Sequence, residues 1–205
     1  CAHGRFLADH IEGATLVELS GGEDLFFHGD TTELIEAVSD FVAGSRVPQP
    51  ATRRLVTMLF TDVVGSTELA STVGDQQWRV LLDQHDSIVH RHIERCNGRY
   101  VNGTGDGLLA IFDSPGQAIR CAASMRDALR SIGLAVRTGI HAGEVEMRGD
   151  DIGGIAVHIA ARVMTLGTAH QIVVSRTIRD LVTGSGFVFE AKGSHELKGV
   201  ADLWD

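Results

Sequence analysis

The stretch Leu55 to Leu69, LVTMLFTDVVGSTEL, restricts the fold more than any other part of the chain. Leu55, Val56, Met58, Leu59 and Phe60 make a nearly unbroken apolar run of strand formers, the pattern of a strand buried on both faces. The run ends at Asp62, and Gly65, Ser66, Thr67 and Glu68 then give a helix-start signature. A carboxylate is thereby fixed where a stiff strand passes into a helix whose free N–H groups can take up phosphate oxygens. Two readings of Asp62 stand side by side here, a helix cap and a ligand for a metal cation.

The pattern downstream predicts a long amphipathic helix over Asp75 to Cys96, with Trp78, Leu81, Leu82, His85, Ile88, Val89, His92, Ile93 and Cys96 on one face. His85 and His92 are seven residues apart, which suits core or interface positions better than metal ligation. Gly98 is expected to close this helix. Strands at Arg99–Asn102 and Leu108–Phe112 flank Gly103–Gly107, a tight hairpin in which Asp106 is either a turn residue or a functional carboxylate. Ser114 and Pro115 start a helix with a buried stripe of Ala118, Cys121, Ala122, Met125 and Leu129. A strand follows at Leu134–His141, with Leu134, Val136, Thr138 and Ile140 on its core face, and Gly143–Met147 can extend the sheet. Gly149–Gly154 is a loop. Ile155–Leu166 is a helix packing through Val157, Ala160, Ala161 and Met164. A strand at Gln171–Ser175, a helix at Arg176–Val182 and strands at Phe187–Glu190 and Leu197–Leu203 complete the chain.

The core order of strand, helix, strand, strand, helix, strand is the split βαβ, ferredoxin-like arrangement: an α+β fold with an antiparallel sheet and flanking helices. There the end of the first strand lies beside the hairpin between the next two, so Asp62 and Asp106 would converge. Two carboxylates beside a phosphate-holding turn can hold two divalent cations roughly 4 Å apart.

The 205 residues suffice for one domain with a real core and part of another. A net charge of −9 argues against non-specific binding to nucleic acid or anionic membranes. No apolar run approaches the ~20 residues that cross a bilayer. Cys1, Cys96 and Cys121 are odd in number and lack ligand spacing, as reduced thiols in a cytoplasmic protein would. The opening CAHGRFLADH has neither a leader pattern nor an initiator Met, so a segment of a longer chain is expected. Residues 44–53 read as a Pro-containing linker, dividing 1–43 from a main domain at 54–205. Residues 1–43 read as helix, strand (Thr15–Leu19), turn (Gly21, Gly22) and helix (Thr31–Val42). They resemble the C-terminal end of an α/β-hydrolase domain. The place of that family's catalytic His holds Asp24, His28 follows four residues later, and the nucleophile elbow would lie upstream. No hydrolase activity is expected from this segment.

The segments LFTDVVGST, NGTGDGLLAIF, RTGIHAGEV, DIGGIAVHIAARV and ELKGV, in this order, resemble the class III nucleotide cyclase catalytic domain. Similar cyclases occur in actinobacteria, some behind an α/β-hydrolase-like domain. The resemblance implies a homodimer with catalytic sites at the subunit interface. It implies that Asp62 and Asp106 bind two Mg²⁺ or Mn²⁺ ions, with the turn at Gly65, Ser66 and Thr67 on the phosphates. Arg162 matches the arginine that stabilises charge on the transferring phosphorus, and Lys198 a lysine on the terminal phosphates. Two positions depart from the family pattern. The purine-selecting pair, usually Lys with Asp or Thr, is Asn102 with Asp151, and the ribose-orienting Asn is His158. Asn102 can donate to adenine N1 while Asp151 accepts from N6, but an amide can also turn to meet guanine. Each site would draw its metal ligands from one subunit and Asn102, Asp151, His158 and Arg162 from the other.

The function expected is therefore an adenylate cyclase, converting ATP to 3′,5′-cyclic AMP and pyrophosphate with incomplete rejection of GTP. A guanylate cyclase, or a non-catalytic nucleotide-binding module on the same fold, is the alternative. A tethered regulatory region at 1–43 would signal through the linker. Cutting the chain near Pro48 is then expected to change either turnover or dimer affinity, read by product formation and sedimentation; no change in either would remove the idea.

Overall fold

Burial on both faces, unbroken from Val56 to Leu59, makes the run from Arg53 to Val63 the centre of the sheet. In the computed structural model it is strand β1 (Arg53–Val63), with Val56, Met58, Leu59 and Val63 at most 3% exposed. The structure describes residues 2–11, 14, 16–17, 32–43, 52–103, 105–200 and 203–205. The expected turn at Gly21 and Gly22, Asp24, His28, most of the strand at 15–19 and most of the linker lie outside the described residues. The chain divides into two compact units, Cys1–Pro50 and Ala51–Asp205. The first contains helices α1 (Ala2–His10) and α2 (Thr32–Ala43). β1 already begins at Arg53, so the last residue of the expected linker is strand.

After β1 come α3 (Ser66–Val73), α4 (Asp75–Arg95), β2 (Arg99–Gly103), β3 (Gly107–Phe112), α5 (Pro115–Ser131), β4 (Val136–Arg148), β5 (Asp151–Gly153), α6 (Ile155–Thr165), β6 (Ile172–Val174), α7 (Arg176–Leu181), β7 (His195–Glu196) and β8 (Leu203–Trp204). The sheet order is β2-β3-β1-β4-β5, with β6 pairing parallel to β4 and the other pairs antiparallel. The strands β1 to β4 thus have the ferredoxin-like order predicted, and Gly143–Met147 is one continuous strand with the residues before it.

The two sheet faces are covered unequally. Leu59, Val63, Leu108, Ala110, Val136 and Ile140 pack against α4 and α5. Met58, Leu109, Ile111 and Val145 meet Ala156 and Ala160 of α6, and Phe60 and Val101 beside them are only partly buried. His85 is 1% exposed, its Nδ1 3.0 Å from Asp86 Oδ1, and His92 Nδ1 meets Ser124 Oγ of α5 at 3.0 Å. These are packing positions, as the spacing suggests.

Several expectations need correction. α4 is closed by Asn97, whose φ of 53° is left-handed, with Gly98 N–H donating to Ile93 O at 2.9 Å. Gly98 is needed for another reason: a Cβ there would lie 2.4 Å from the Phe112 ring. α6 buries Ala156, Ile159, Ala160 and Val163 rather than the expected stripe, of which only Ala160 is buried. The helix lies on glycines of β4: a Cβ on Gly143 would be 2.6 Å from Ala156 Cβ, and one on Gly139 would be 2.3 Å from Met164 N. Phe187–Glu190 is not a strand. Phe187 and Phe189 pack into the α4–α5 core while Val188 is 97% exposed, an alternation made by a loop. Leu197–Leu203 is not one strand either, because Leu197–Val200 forms a turn, with Gly199 at φ 81°, ahead of β8.

Gly139→Ala is expected to lower unfolding stability by about 3 kcal/mol, because the clash is with backbone and β4 and α6 must separate. Urea denaturation checks this.

Candidate active site

β1 ends in Thr61, Asp62 and Val63, and its two neighbours fix what stands beside Asp62. Asp62 is paired with Gly107 of β3 on one side and Arg137 of β4 on the other. Asp106 is therefore one residue beyond the position directly across from Asp62, so the sheet register brings the two acids to one end of the sheet. Arg137 grips the Asp62 carboxylate in a fork, with Nε and Nη2 at 2.9 and 2.5 Å from Oδ2. The side chains are 24% and 31% exposed, so this pair is partly withdrawn from water. α3 has Gly65 at its N-cap in a left-handed conformation (φ 72°, ψ 26°) and no side-chain cap. This decides between the two readings of Asp62 as far as capping goes: its carboxylate is turned to Arg137, and among the described residues no side chain caps α3.

Asp106 shares a cleft of about 430 Å³ with Ser66, Thr67, Ser71, Asp75 and Trp78. The expected phosphate-holding turn and one expected metal ligand thus line one cavity. The donor set suits a hard divalent cation. Asp62 and Asp106 stand at one end of the sheet, and among the described residues there is no group of three or more His, Cys, Asp or Glu that could hold a metal ion without help from a substrate. Mg²⁺ is commonly held in this way, by one or two carboxylates with substrate phosphates completing the shell.

Asn102 and Asp151 come together although they start from opposite edges of the sheet. Asn102 Nδ2 donates to Asp151 Oδ1 at 3.4 Å, and that oxygen also accepts from Ile152 N–H at 2.8 Å. A β-bulge makes this possible. Tyr100 pairs with Ala110 and Asn102 with Leu109, so Val101 is an extra residue. Regular alternation would put Asn102 on the Tyr100 side, towards α4 and α5. The bulge turns it to the thinly covered α6 face, the face of Asp62 and Arg137.

His158 and Arg162 are exposed and one helical turn apart on α6, whose opposite side is buried. Lys198 lies in the turn between β7 and β8. Its neighbour Leu197 is 3% exposed and packs in one cluster with Ile159 and Val163 of α6, so this turn and the exposed face of α6 are fixed to each other. The β7–β8 segment is also attached through Trp204 of β8, which meets His141 of β4 edge-on at 5.7 Å, and through Asp205, whose carbonyl accepts from Arg176 N–H at 2.8 Å. His141 Nδ1 also meets Ser175 Oγ at 2.8 Å.

The sequence reading missed Arg137 as a site residue. Its signal was strand alternation: the residues on either side of it are core-facing, so Arg137 had to lie on the other face.

The family pattern of the adenylate and guanylate cyclase catalytic domain matches residues 49–204, and the chain belongs to this family. A putative adenylate cyclase of Rhizobium meliloti is 27% identical over 157 residues, covering 72% of this chain and 27% of that protein. The chain spans 16% to 27% of the length of the first curated relatives it matches. The adenylyl cyclase CyaB of P. aeruginosa shares the fold at a TM-score of 0.69 and 21% identity, over 75% of this chain and 92% of that one. An adenylate/guanylate cyclase/hydrolase of Silicibacter pomeroyi is 26% identical with a TM-score of 0.65, over 75% and 94%. Both adenylyl and guanylyl cyclases occur among the solved neighbours. No helix among the described residues is long and apolar enough to cross a membrane.

Burial at 4% exposure pushes the His141 pKa down from 6.5 to about 4. The unfolded chain then binds more protons than the folded one between these values, so stability is full above about pH 6.5 and falls on acidification, by up to about 3 kcal/mol at pH 4. Unfolding midpoints measured from pH 7 to pH 4 should drop, and His141→Asn should flatten that part of the curve.

Proposed function

We propose that the chain is an adenylate cyclase acting as a homodimer, converting ATP to 3′,5′-cyclic AMP and pyrophosphate. The observation that carries this reading is the Asn102–Asp151 pair, a donor beside an acceptor at 3.4 Å, on the sheet face that also holds Asp62. Adenine offers an acceptor at N1 next to a donor at N6, the complement of that pair. Guanine offers the reverse order, which the same amide and carboxylate meet only if they exchange places. Incomplete rejection of GTP follows, since the Asn102 amide can turn its oxygen to accept from guanine N1–H and only Asp151 is left against a mismatched acceptor.

In the reaction the ribose 3′-oxygen attacks the α-phosphorus and the bond to the pyrophosphate oxygen breaks. Two divalent cations, Mg²⁺ or Mn²⁺, would lower the pKa of the attacking hydroxyl and neutralise the phosphates. Asp62 and Asp106 would hold them, and Arg137 orients the Asp62 carboxylate from the side. The α3 start at Gly65, Ser66 and Thr67 offers N–H groups to phosphate oxygens. Arg162 bonds the equatorial oxygens of the transferring phosphorus, where charge builds up. His158, on the same helix face, orients the ribose, and Lys198 holds the terminal phosphates. Because Lys198 is fixed to α6, it belongs with Asn102, Asp151, His158 and Arg162 in one protomer, with Asp62 and Asp106 from the other.

Dimeric protein incubated with ATP and Mn²⁺ should yield cyclic AMP, with a smaller yield of cyclic GMP from GTP. Cyclic GMP as the main product would make the chain a guanylate cyclase, and nucleotide-induced thermal stabilisation without either product would make it a binding module. Asp62→Ala and Asp106→Ala should each lower turnover at least about a thousandfold, since they act on the transition state. Retained turnover in either would refute its role.

A further inference from the structure

Arg99 stands on β2 three residues before Asn102, half-buried, and none of the roles above uses it. Its Nη1 donates to the backbone carbonyl of Asp150 at 2.8 Å, across 51 residues of sequence. Its Nη2 is buried with no hydrogen-bond partner. The bond is made to the residue directly before Asp151, at the tip of the β4–β5 hairpin.

That hairpin tip has few other restraints. Gly149 and Asp150 form its turn, with Gly149 in a left-handed conformation (φ 61°), and β5 pairs with β4 through only three residues. On the far side it faces β2, which is not its hydrogen-bonding neighbour in the sheet. Among the described residues two side-chain hydrogen bonds cross this gap: Asn102 to the Asp151 carboxylate at 3.4 Å and Arg99 to the Asp150 carbonyl at 2.8 Å. The first is long and joins groups that must also serve a base. The second is short and joins groups that need not. The β-bulge at Val101 is what lets both act together, since Arg99 pairs with Ile111 and Asn102 with Leu109, two residues on one face of β3.

We propose that Arg99 is a positioning residue for nucleotide discrimination: by holding the Asp150 carbonyl it fixes the Asp151 carboxylate beside the Asn102 amide. The proposal rests on the reading of Asn102 and Asp151 as the base-contacting pair. A guanidinium suits the task because it stays charged when partly buried and donates from a planar, preorganised group. Released from Arg99, the hairpin tip would let Asp151 shift, and the donor–acceptor spacing that separates adenine from guanine would be lost before catalytic power was.

The test compares wild type, Arg99→Met, Arg99→Lys, Asp151→Ala and the Arg99→Met/Asp151→Ala double variant. For each, kcat/KM is measured with ATP and with GTP, and dissociation constants for both nucleotides are measured beside them, so that a slow variant is still informative. Arg99→Met is expected to lower the ratio between preferred and disfavoured nucleotide about tenfold, the scale of one misplaced hydrogen bond. Arg99→Lys, which can still donate to the carbonyl, should keep most of the ratio. In the double variant Arg99→Met should add nothing to Asp151→Ala, because its effect passes through that carboxylate. An Arg99→Met variant that weakens both nucleotides equally, or additive losses in the double variant, would overturn the proposal. Asp151→Ala with an unchanged ratio would overturn the base-contacting assignment and this proposal with it. Wild type that forms neither cyclic product would instead overturn the cyclase reading, while the ratio of dissociation constants would still decide for or against Arg99.

Discussion

Everything in the larger unit is referred to β1 because β1 is hydrogen-bonded along both edges. Its ladder to β4 runs without interruption from Arg53 opposite Glu146 to Val63 opposite Val136, and its ladder to β3 ends with Asp62 opposite Gly107. A strand held on both sides cannot slip by one residue without turning its whole buried set to the wrong face. The position of Asp62 relative to Arg137 and to the Asp106 hairpin is thus set by the packing of the core, with Met58 and Leu59 fully buried only a few residues away.

The unequal cover of the sheet does the rest. α4 and α5 close one face with a continuous apolar core. The other face has α6, brought close by Gly139 and Gly143, and beyond it a half-buried floor that includes Phe60 and Val101. Asp62, Arg137, Arg99 and Asn102 all belong to this second face. Asp62 and Arg137 are tolerated there because they pair with each other, and Arg99 is paired through Nη1 although its Nη2 is buried without a partner.

How much was legible in the sequence depends on how local the determining physics is. That β1 ends beside the β2–β3 hairpin, with Asp62 opposite Gly107, follows from element order alone, because the ferredoxin-like topology sets those elements side by side. The buried stripe of α5 was legible because five apolar residues repeat at helical spacing on a helix that packs by one face. The stripe of α6 was misjudged because glycines on β4, far away in sequence, decide how that helix is rotated. Phe187 and Phe189 imitate a strand, but alternation becomes a strand only where a free sheet edge accepts it. The bulge at Val101 left no mark: neither glycine nor proline signals it, and it exists only as a mismatch of count between β2 and β3.

That mismatch carries a consequence of its own. The chemistry presented at residue 102 is governed less by which amino acids fill β2 than by how many of them lie between Gly98, tucked under the Phe112 ring, and Gly107, opposite Asp62. Apart from Arg99, Asn102 and Asp106, composition in this short segment can drift while its length cannot, so comparisons among kin should weigh insertions and deletions there as heavily as replacements.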